Sequence, residues 1–372
     1  MGAAAPTRFE AACGPLRALA GSLGFPGDET AAMVACLRVL AASWADAPLA
    51  DPPPWSGLGA DASGCDLSLV LGGEQREIRV TVEAQGDPPS PRSYLAAALA
   101  LSDTLEARYG ADLSRLRAVL PVLADLDPEA AGVLWHGAVF RGGQAPWFKV
   151  YLHLMAAGRR QARATARAAL DRLGLGATWE GIAARLGPDD DLLFLGFDLL
   201  PGDAARVKLY LRHAETDAAR LAEAADPDSR DSVRAFVESL AGPGRIVRRG
   251  ALSALHLRPD APEPARVTTH LRLFPHCGAS DAMLRDRLCA ALHRLGLPSA
   301  PYEAAFRALG GEESGDGEGL HGWASLQGAG GRPAVTVYLS PRLYLARFGP
   351  VALAPERMWP SPVLGRLACA SA

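Results

Sequence analysis

The sequence predicts an α+β protein in which ten antiparallel strands close into a barrel with a polar lumen, surrounded by helices. The first observation is an internal repeat: the order helix, helix, strand, strand occurs five times, with a period of roughly 60 to 70 residues. The second is that the later strand of each predicted hairpin alternates polar and apolar residues, so that it has two different faces. Strands joined by hairpins in this number can close on themselves, which removes exposed sheet edges.

The first repeat spans residues 7–85 and shows the pattern clearly. Its elements in order are helices at 7–24 and 28–45, a loop rich in Pro, Gly and Asp at 47–64, and strands at 66–71 and 77–85. The helices are predicted from apolar residues at helical spacing. The strands are predicted from alternation on either side of the turn at Gly72 and Gly73.

The other four repeats have the same order of elements and occupy residues 93–154, 157–213, 215–274 and 280–341. Their predicted helices lie at 93–109, 111–126, 157–174, 178–186, 215–225, 228–241, 280–296 and 301–310. Their predicted strand pairs are 132–140 with 146–154, 191–200 with 205–213, 250–257 with 266–274, and 320–327 with 333–341. Gly-rich or Pro-rich turns join these strands, including those at 201–203 and 328–331. An acidic, Gly-rich loop is expected at 310–319 and a Pro-containing tail at 342–372. We therefore predict one domain covering residues 1–372.

Composition excludes several classes of protein. The chain has 372 residues, 49% of them hydrophobic and 21% charged, with a formal net charge of −3. Because there is no basic excess, neither nucleic acid nor an anionic membrane is an expected partner. The six cysteines form no C-x-x-C pair and lack zinc-ligand spacing. No apolar run approaches the roughly 20 residues that span a bilayer, and the N-terminus has no apolar signal core, so we expect a cytoplasmic protein.

The polar face of the later strands has an unusual content of cations and tyrosines. Its members are Arg79, Thr81, Glu83, Gln85, Lys149, Tyr151, His153, Arg206, Lys208, Tyr210, Arg212, His270, Arg272, Thr336, Tyr338 and Ser340. A lone Lys-x-Tyr strand is more often a solvated outer face. However, Tyr151, Tyr210 and Tyr338 recur at matched positions, and the helices need the opposite, apolar face to cover. The polar face is therefore predicted to line the lumen, which ten strands make wide enough for a ligand.

This lumen suits a reaction that releases diphosphate. Lys, Arg and Tyr side chains bind phosphate oxygens, and tyrosine faces attract cations. A buried carboxylate, Glu83, suits an N–H donor such as indole, although a salt bridge to Arg79 is the simpler interpretation. The chain has no G-x-x-x-x-G-K-[ST] loop and no D-D-x-x-D motif, and we interpret the run at 189–191 as a turn. Diphosphate would then be held by side-chain cations, and electrostatic stabilisation of the leaving group would be the main catalytic effect.

Four segments stand out within repeats that cover essentially the whole chain: WFKVYL at 147–152, ARVKLYL at 205–211, VTVYLSPR at 335–342 and RVTVEAQ at 79–85. As an ordered set they resemble the aromatic prenyltransferases of the dimethylallyltryptophan synthase type, in particular the compact bacterial indole prenyltransferases. The resemblance implies the antiparallel barrel called the ABBA fold. It also implies transfer of a prenyl group from dimethylallyl diphosphate to an aromatic carbon, with no cofactor and no metal requirement.

The resemblance also implies roles for particular residues. Glu83 matches the carboxylate that binds the indole N–H. The residues that match diphosphate ligands and tyrosines shielding the cation are Lys149, Tyr151, Arg206, Lys208, Tyr210 and Tyr338. His136 lies where many members carry the group that removes the ring proton, and an imidazole of ordinary pKa suits a base at neutral pH.

The fourth repeat departs from the family pattern. It has His270 and Arg272 where a Gln- or Lys-x-Tyr is common. We nevertheless carry over Arg272 as a diphosphate ligand, and His270 as its neighbour on the same face. Arg92 is the candidate for the family's arginine that follows the glutamate strand.

The expected acceptor is tryptophan or a small molecule derived from it. One alternative is a phenol, tyrosine or a larger indole alkaloid as acceptor in the same fold. Another is a barrel that binds an anion without catalysis, although anion binding alone has no need of tyrosines that shield a cation.

Overall fold

The computed structural model describes residues 5–344, except 60, 129, 203–204, 260, 279, 312–318 and 329–332. Most of the loop predicted at 310–319 therefore lies outside the described residues. The same holds for residue 203 of the turn at 201–203, for residues 329–331 of the turn at 328–331, and for the predicted tail beyond residue 344.

The described residues form ten strands in the predicted order. They are β1 Cys65–Leu71, β2 Glu77–Glu83, β3 Leu134–Arg141, β4 Trp147–His153, β5 Asp191–Asp198, β6 Val207–Thr216, β7 Val247–Leu257, β8 Arg266–Arg272, β9 His321–Gln327 and β10 Ala334–Leu339. Each strand pairs antiparallel with its neighbours in sequence, and β1 pairs with β10 to close the barrel. The predicted fold class is confirmed.

Two α-helices precede each hairpin. They are α1 Arg8–Ser22, α2 Gly27–Leu40, α3 Pro91–Tyr109, α4 Ser114–Val119, α5 Ala162–Arg172, α6 Trp179–Ala183, α7 Ala218–Ala224, α8 Arg230–Ala241, α9 Asp281–Arg294 and α10 Ala300–Ala308. α4 is shorter than predicted because Pro121, which has no N–H, lies in a 3₁₀ turn at Leu120–Leu123. α5 also starts late, because two short 3₁₀ turns, Leu154–Ala157 and Arg159–Gln161, precede it, and Gly158 between them has a φ of 101°. Among the described residues, no helix is long and apolar enough to cross a membrane.

The apolar faces of the strands point outward and are covered by the helices. Ile78, Val80 and Val82 of β2 are completely buried, and they belong to one continuous core with apolar residues of the helices. Burying this surface is the main favourable contribution to folding. Since successive side chains of a strand point to opposite faces, the polar positions of the same strands point into the lumen.

Candidate active site

The lumen contains two adjoining cavities that share four side chains. One cavity has a volume of about 180 Å³ and the other of about 110 Å³. The shared side chains are Tyr151, Tyr210, His270 and Tyr338. We call these four the aromatic diaphragm, and the larger and smaller cavities the cationic and the aromatic compartment.

The aromatic diaphragm is one layer of inward-pointing residues from alternate strands, β4, β6, β8 and β10. The ring centroids of Tyr151 and Tyr210 are 5.9 Å apart, those of Tyr210 and His270 are 5.7 Å apart, and those of His270 and Tyr338 are 6.1 Å apart. Burial raises the pKa of each of the three tyrosines, so their hydroxyls stay neutral. Neutral, weakly nucleophilic rings at this spacing can surround a cation.

The cationic compartment is lined by five basic and two acidic side chains. They are Arg79, Arg141, Lys149, Arg206, Lys208, Glu77 and Asp198. Glu77 accepts hydrogen bonds from the Nε atoms of Arg79 and Arg141, each at 2.6 Å. Asp198 accepts one from Arg206 Nε at 2.7 Å and lies 3.5 Å from the ammonium nitrogen of Lys149. Because five basic side chains outnumber the two carboxylates, the compartment favours an anion.

The pKa values of the two lysines in this compartment are lowered. Burial, followed by neighbouring Arg79, lowers the pKa of Lys149 to about 7. Burial and then the adjacent Lys149 hold the pKa of Lys208 well below its usual range. A bound polyanion would remove much of this penalty and favour the ammonium forms.

Arg79 is a member of the site that was not predicted as functional from the sequence. It is the β2 counterpart of the diaphragm residues and lies beside Tyr151 and Tyr338. In the register of the barrel, Ser68 of β1 pairs with Arg79 on one side and with Tyr338 on the other. The signal for Arg79 is its place on the polar face of the later strand of the first hairpin, although the partner that the sequence suggests for it is Glu83. Its partner is Glu77 instead.

The aromatic compartment has a different chemistry. It is lined mainly by Gly57, Leu58, Gly59, Asp66, Thr81, Trp135, Phe194, Leu252, Arg272, Phe274 and Trp323, besides the diaphragm. The rings of Trp135 and Phe194 pack with centroids 4.7 Å apart. An apolar cavity with a few polar groups is the usual form of a site for a small aromatic molecule.

Asp66 supplies the carboxyl group of the aromatic compartment. It lies on β1 opposite Thr81, and its Oδ1 accepts a hydrogen bond from the backbone N–H of Leu67 at 3.1 Å. Burial raises the pKa of this carboxyl well above its usual range. Asp66 lies on the earlier strand of its hairpin and so is not among the polar-face residues of the later strands. The alternation of Asp66 and Ser68 on β1 is the signal that could have found it.

Glu83 lies beyond the aromatic compartment and lines neither cavity. It is 1% exposed, and its Oε1 accepts a hydrogen bond from Trp135 Nε1 at 3.0 Å. Burial raises the pKa of Glu83 to about 7, against the lowering effects of Ser56 and Trp135. This placement gives Glu83 the task of orienting the Trp135 ring. The contact of Glu83 with an indole N–H stays a prediction, and Asp66, which lines the aromatic compartment, is a second candidate for that contact.

His136 points out of the barrel, so its prediction as the base is wrong. It lies on β3 between Val82 and Val150 in the register, on the face covered by α3. The side chain is 0% exposed, and its Nε2 lies 2.8 Å from the hydroxyl of Ser102 on that helix. Burial lowers the pKa of His136 to about 3. The neighbouring residue, Trp135, is the one that faces the lumen.

The two predicted arginines are also placed differently. Arg272 lines the aromatic and not the cationic compartment, so the structure does not bring it together with the other predicted diphosphate ligands. Its Nε donates to the carbonyl of Phe274 at 3.2 Å, and burial lowers its pKa to about 9. Arg92 is exposed at the start of α3, outside the barrel, and is not part of the site.

Gly196 makes room for the aromatic diaphragm. A Cβ atom at this position on β5 would lie 3.1 Å from Cδ1 of Tyr151 and 3.2 Å from Cε2 of Tyr210. Its φ is not in the left-handed region, so space and not backbone conformation requires glycine here. At Gly137 of β3 the nearest atom to an added Cβ is Cε2 of Tyr151 at 3.6 Å, which is an ordinary contact.

Comparisons with known proteins agree with this geometry. No family model matches the chain. A solved 6-dimethylallyl tryptophan synthase superposes with a TM-score of 0.84 at 29% identity, covering 92% of this chain and 98% of its own. The 6-dimethylallyltryptophan synthase from Micromonospora olivasterospora, in complex with DMASPP and Trp, has a TM-score of 0.82 at 29% identity, covering 91% and 98%. The 5-dimethylallyl tryptophan synthase from Streptomyces coelicolor, also with DMASPP and Trp, has a TM-score of 0.81 at 27% identity, covering 91% and 96%.

The fold, the lumen and these similarities together define an enzyme of the aromatic prenyltransferase class. Within this class, the chain belongs to the dimethylallyltryptophan synthase type with the ABBA fold.

Proposed function

We propose that the protein transfers a dimethylallyl group from its diphosphate to the indole ring of L-tryptophan. The observation that carries this proposal is the division of the lumen into a cationic and an aromatic compartment that meet at the aromatic diaphragm. Donor and acceptor would then bind on opposite sides of the four rings, with the reacting carbons between them. Bound complexes of DMASPP and Trp in the related enzymes support this choice of substrates.

The donor's diphosphate binds in the cationic compartment. As the C–O bond to the prenyl group breaks, negative charge develops on the leaving diphosphate and is stabilised by Arg79, Lys149 and Lys208. The allylic cation forms next to Tyr151, Tyr210 and Tyr338, whose faces stabilise it. We propose that no metal is needed, because side-chain cations supply the charge.

The acceptor's indole ring binds in the aromatic compartment among Trp135, Phe194 and Trp323. A carboxyl oxygen of Asp66 accepts a hydrogen bond from the indole N–H. This N–H becomes more acidic as the ring attacks the cation. Arg272 has its guanidinium 5.8 Å from the ring of Trp323. A buried cation in this compartment favours an acceptor with its own carboxylate, which supports a free amino acid over a simple indole.

Binding of dimethylallyl thiolodiphosphate, an unreactive donor analogue, is expected to weaken as the pH rises from about 7.5 to about 9. The pKa of Lys149 in the free enzyme is about 7, so this side chain is increasingly neutral over that range. The diphosphate binds the protonated form, and each proton that must be taken up weakens affinity by up to about tenfold per pH unit. Calorimetry in buffers of different ionisation enthalpy measures both the affinity and the proton uptake.

Lys149→Arg is the matched control for this pH dependence, since a guanidinium keeps its charge across the range. Its affinity should fall less steeply with pH than that of the wild type. If the wild-type Kd for the donor analogue is constant between these pH values, Lys149 is not a diphosphate ligand that takes up a proton on binding.

Gly196→Ala is expected to lower kcat about tenfold and to increase the share of prenyl alcohol among the products. The added methyl group displaces the rings of Tyr151 and Tyr210 by a few tenths of an ångström. Such a displacement disturbs the alignment of the reacting carbons and admits water to the cation. Product analysis by chromatography and mass spectrometry measures both effects. Gly137→Ala, whose Cβ fits at ordinary contact distance, should behave like the wild type, and equal effects of the two substitutions would contradict this explanation.

The proposed function is tested by incubating the purified protein with dimethylallyl diphosphate and L-tryptophan in the presence of EDTA. The expected product has the mass of tryptophan plus one dimethylallyl group in place of a hydrogen, and fragmentation places the group on the indole ring. Parallel incubations with tyrosine, simple indoles and cyclic dipeptides define the acceptor class. Absence of prenylated product from every acceptor would refute the proposal.

A further inference from the structure

The proposed function does not say which group removes the proton from the attacked carbon of the indole ring. The inference below rests on that proposed function. When the indole ring attacks the allylic cation, the attacked carbon carries both the prenyl group and a hydrogen. Loss of this proton restores the aromatic ring. The sequence pointed to His136 for this step, but that side chain lies outside the barrel. The proton acceptor must therefore be sought among the groups that line the lumen.

We propose that His270 is the catalytic base that accepts this proton. It is the member of the aromatic diaphragm that has a basic nitrogen, and it lines both compartments. Its ring lies between those of Tyr210 and Tyr338. An acceptor ring in the aromatic compartment that attacks a cation at the diaphragm therefore reacts beside this imidazole. The departure of the fourth repeat from the family pattern thus has a functional explanation.

The state of the imidazole suits this role. His270 is 7% exposed, and its Nε2 has no hydrogen-bond partner among the described residues. Burial, and then the positive charges of Lys208 and Arg79, lower the pKa of His270 to about 3. The imidazole is therefore unprotonated at neutral pH and can accept a proton. Although its basicity is low, the ring carbon of a prenylated indole cation is a far stronger acid than an imidazolium ion, so transfer is downhill.

The proton has a route out of the site. The C–H bond of the attacked carbon breaks, its electron pair returns to the indole ring, and the proton bonds to His270. The imidazolium then borders the cationic compartment, where the released diphosphate lies next to Lys208. Transfer to a diphosphate oxygen regenerates the neutral imidazole, so that the products are prenylated tryptophan and protonated diphosphate.

Asp66 is the competing candidate, because its carboxyl group also lines the aromatic compartment. Burial raises the pKa of this carboxyl well above its usual range, which disfavours the ionised form that would serve as a base. The structure therefore favours Asp66 as the hydrogen-bond acceptor for the indole N–H and His270 as the base.

The experiment uses His270→Phe and His270→Gln with L-tryptophan and with tryptophan deuterated on the indole ring. In the wild type, loss of the ring proton follows the slow step, and no primary isotope effect is expected. In both variants kcat should fall by about 10²- to 10⁴-fold, and a primary isotope effect should appear because proton loss becomes slow. His136→Gln is the matched control and should show no isotope effect at whatever rate it retains.

Binding of dimethylallyl thiolodiphosphate to each variant establishes that the barrel is folded and the donor site intact. The proposal is overturned if both His270 variants turn over within a few fold of the wild type without an isotope effect. It is also overturned if the isotope effect appears in Asp66→Asn and not in the His270 variants. If the proposed function is wrong, the wild type itself forms no prenylated product, which distinguishes that result from a failure of the inference about His270.

Discussion

Arg79→Leu is expected to lower kcat/KM for dimethylallyl diphosphate by about 10²- to 10³-fold. This is the usual effect of removing one preorganised hydrogen-bond donor from a site where negative charge develops. Arg79 reaches into the lumen beside Tyr151 and Tyr338, where the C–O bond of the donor would break. Its side chain is 25% exposed and is held by Glu77 through contacts at 2.5 and 2.6 Å. Because this geometry exists before the donor binds, little reorganisation is needed when negative charge develops.

Arg141→Leu is the matched control for Arg79→Leu. Arg141 binds the same Glu77, but its side chain is 38% exposed and stacks over the ring of Trp147 at 4.5 Å, away from the aromatic diaphragm. We expect a loss of about tenfold or less, because a charge near the solvent is more strongly screened. Steady-state kinetics with the donor as varied substrate compares the two variants. Equal losses would show that Arg79 has no special place in the site.

Asp66→Ala is expected to lower kcat/KM for tryptophan by about 10²-fold, because the indole N–H loses its partner while its positive charge develops. In the wild type, 1-methyltryptophan should be a poor acceptor for the same reason. In the variant, tryptophan and 1-methyltryptophan should react at similar rates, since neither can form the hydrogen bond. Competition between the two acceptors in one reaction mixture, followed by mass spectrometry, gives the ratio directly.

Glu83→Gln is the comparison that separates the two carboxyl groups. The amide oxygen can still accept the hydrogen bond from Trp135 Nε1, so this variant should lose less activity than Asp66→Ala. Its preference for tryptophan over 1-methyltryptophan should stay as in the wild type. A loss of that preference in Glu83→Gln, with Asp66→Ala still discriminating, would return the N–H contact to Glu83.

The barrel could be predicted from the sequence because its signals are local and repeated. Each hairpin carries its own alternation, and the five copies confirm one another. Placing Lys149, Tyr151, Lys208, Tyr210 and Tyr338 in the lumen required only the rule that helices cover apolar faces. No knowledge of the register between strands was needed for these residues.

The errors concern details that a single strand does not specify. His136 and Trp135 are adjacent, and a shift of one residue along a strand reverses which of them faces the lumen. Glu83 and Arg272 are on the predicted face, but the sequence does not specify their depth along the barrel. Depth depends on how far each strand extends past the diaphragm and on which loop covers the end. Residues 57–59 belong to a loop that lines the aromatic compartment, and no local pattern in the sequence predicts this placement.

A crystal structure with dimethylallyl thiolodiphosphate and L-tryptophan tests the central claim most directly, namely that the two compartments bind donor and acceptor on opposite sides of the aromatic diaphragm. We expect the diphosphate within hydrogen-bond distance of Arg79, Lys149 and Lys208. The indole ring should lie among Trp135, Phe194 and Trp323, with its N–H directed at Asp66. A diphosphate bound in the aromatic compartment, or an indole ring bound outside the lumen, would contradict this account.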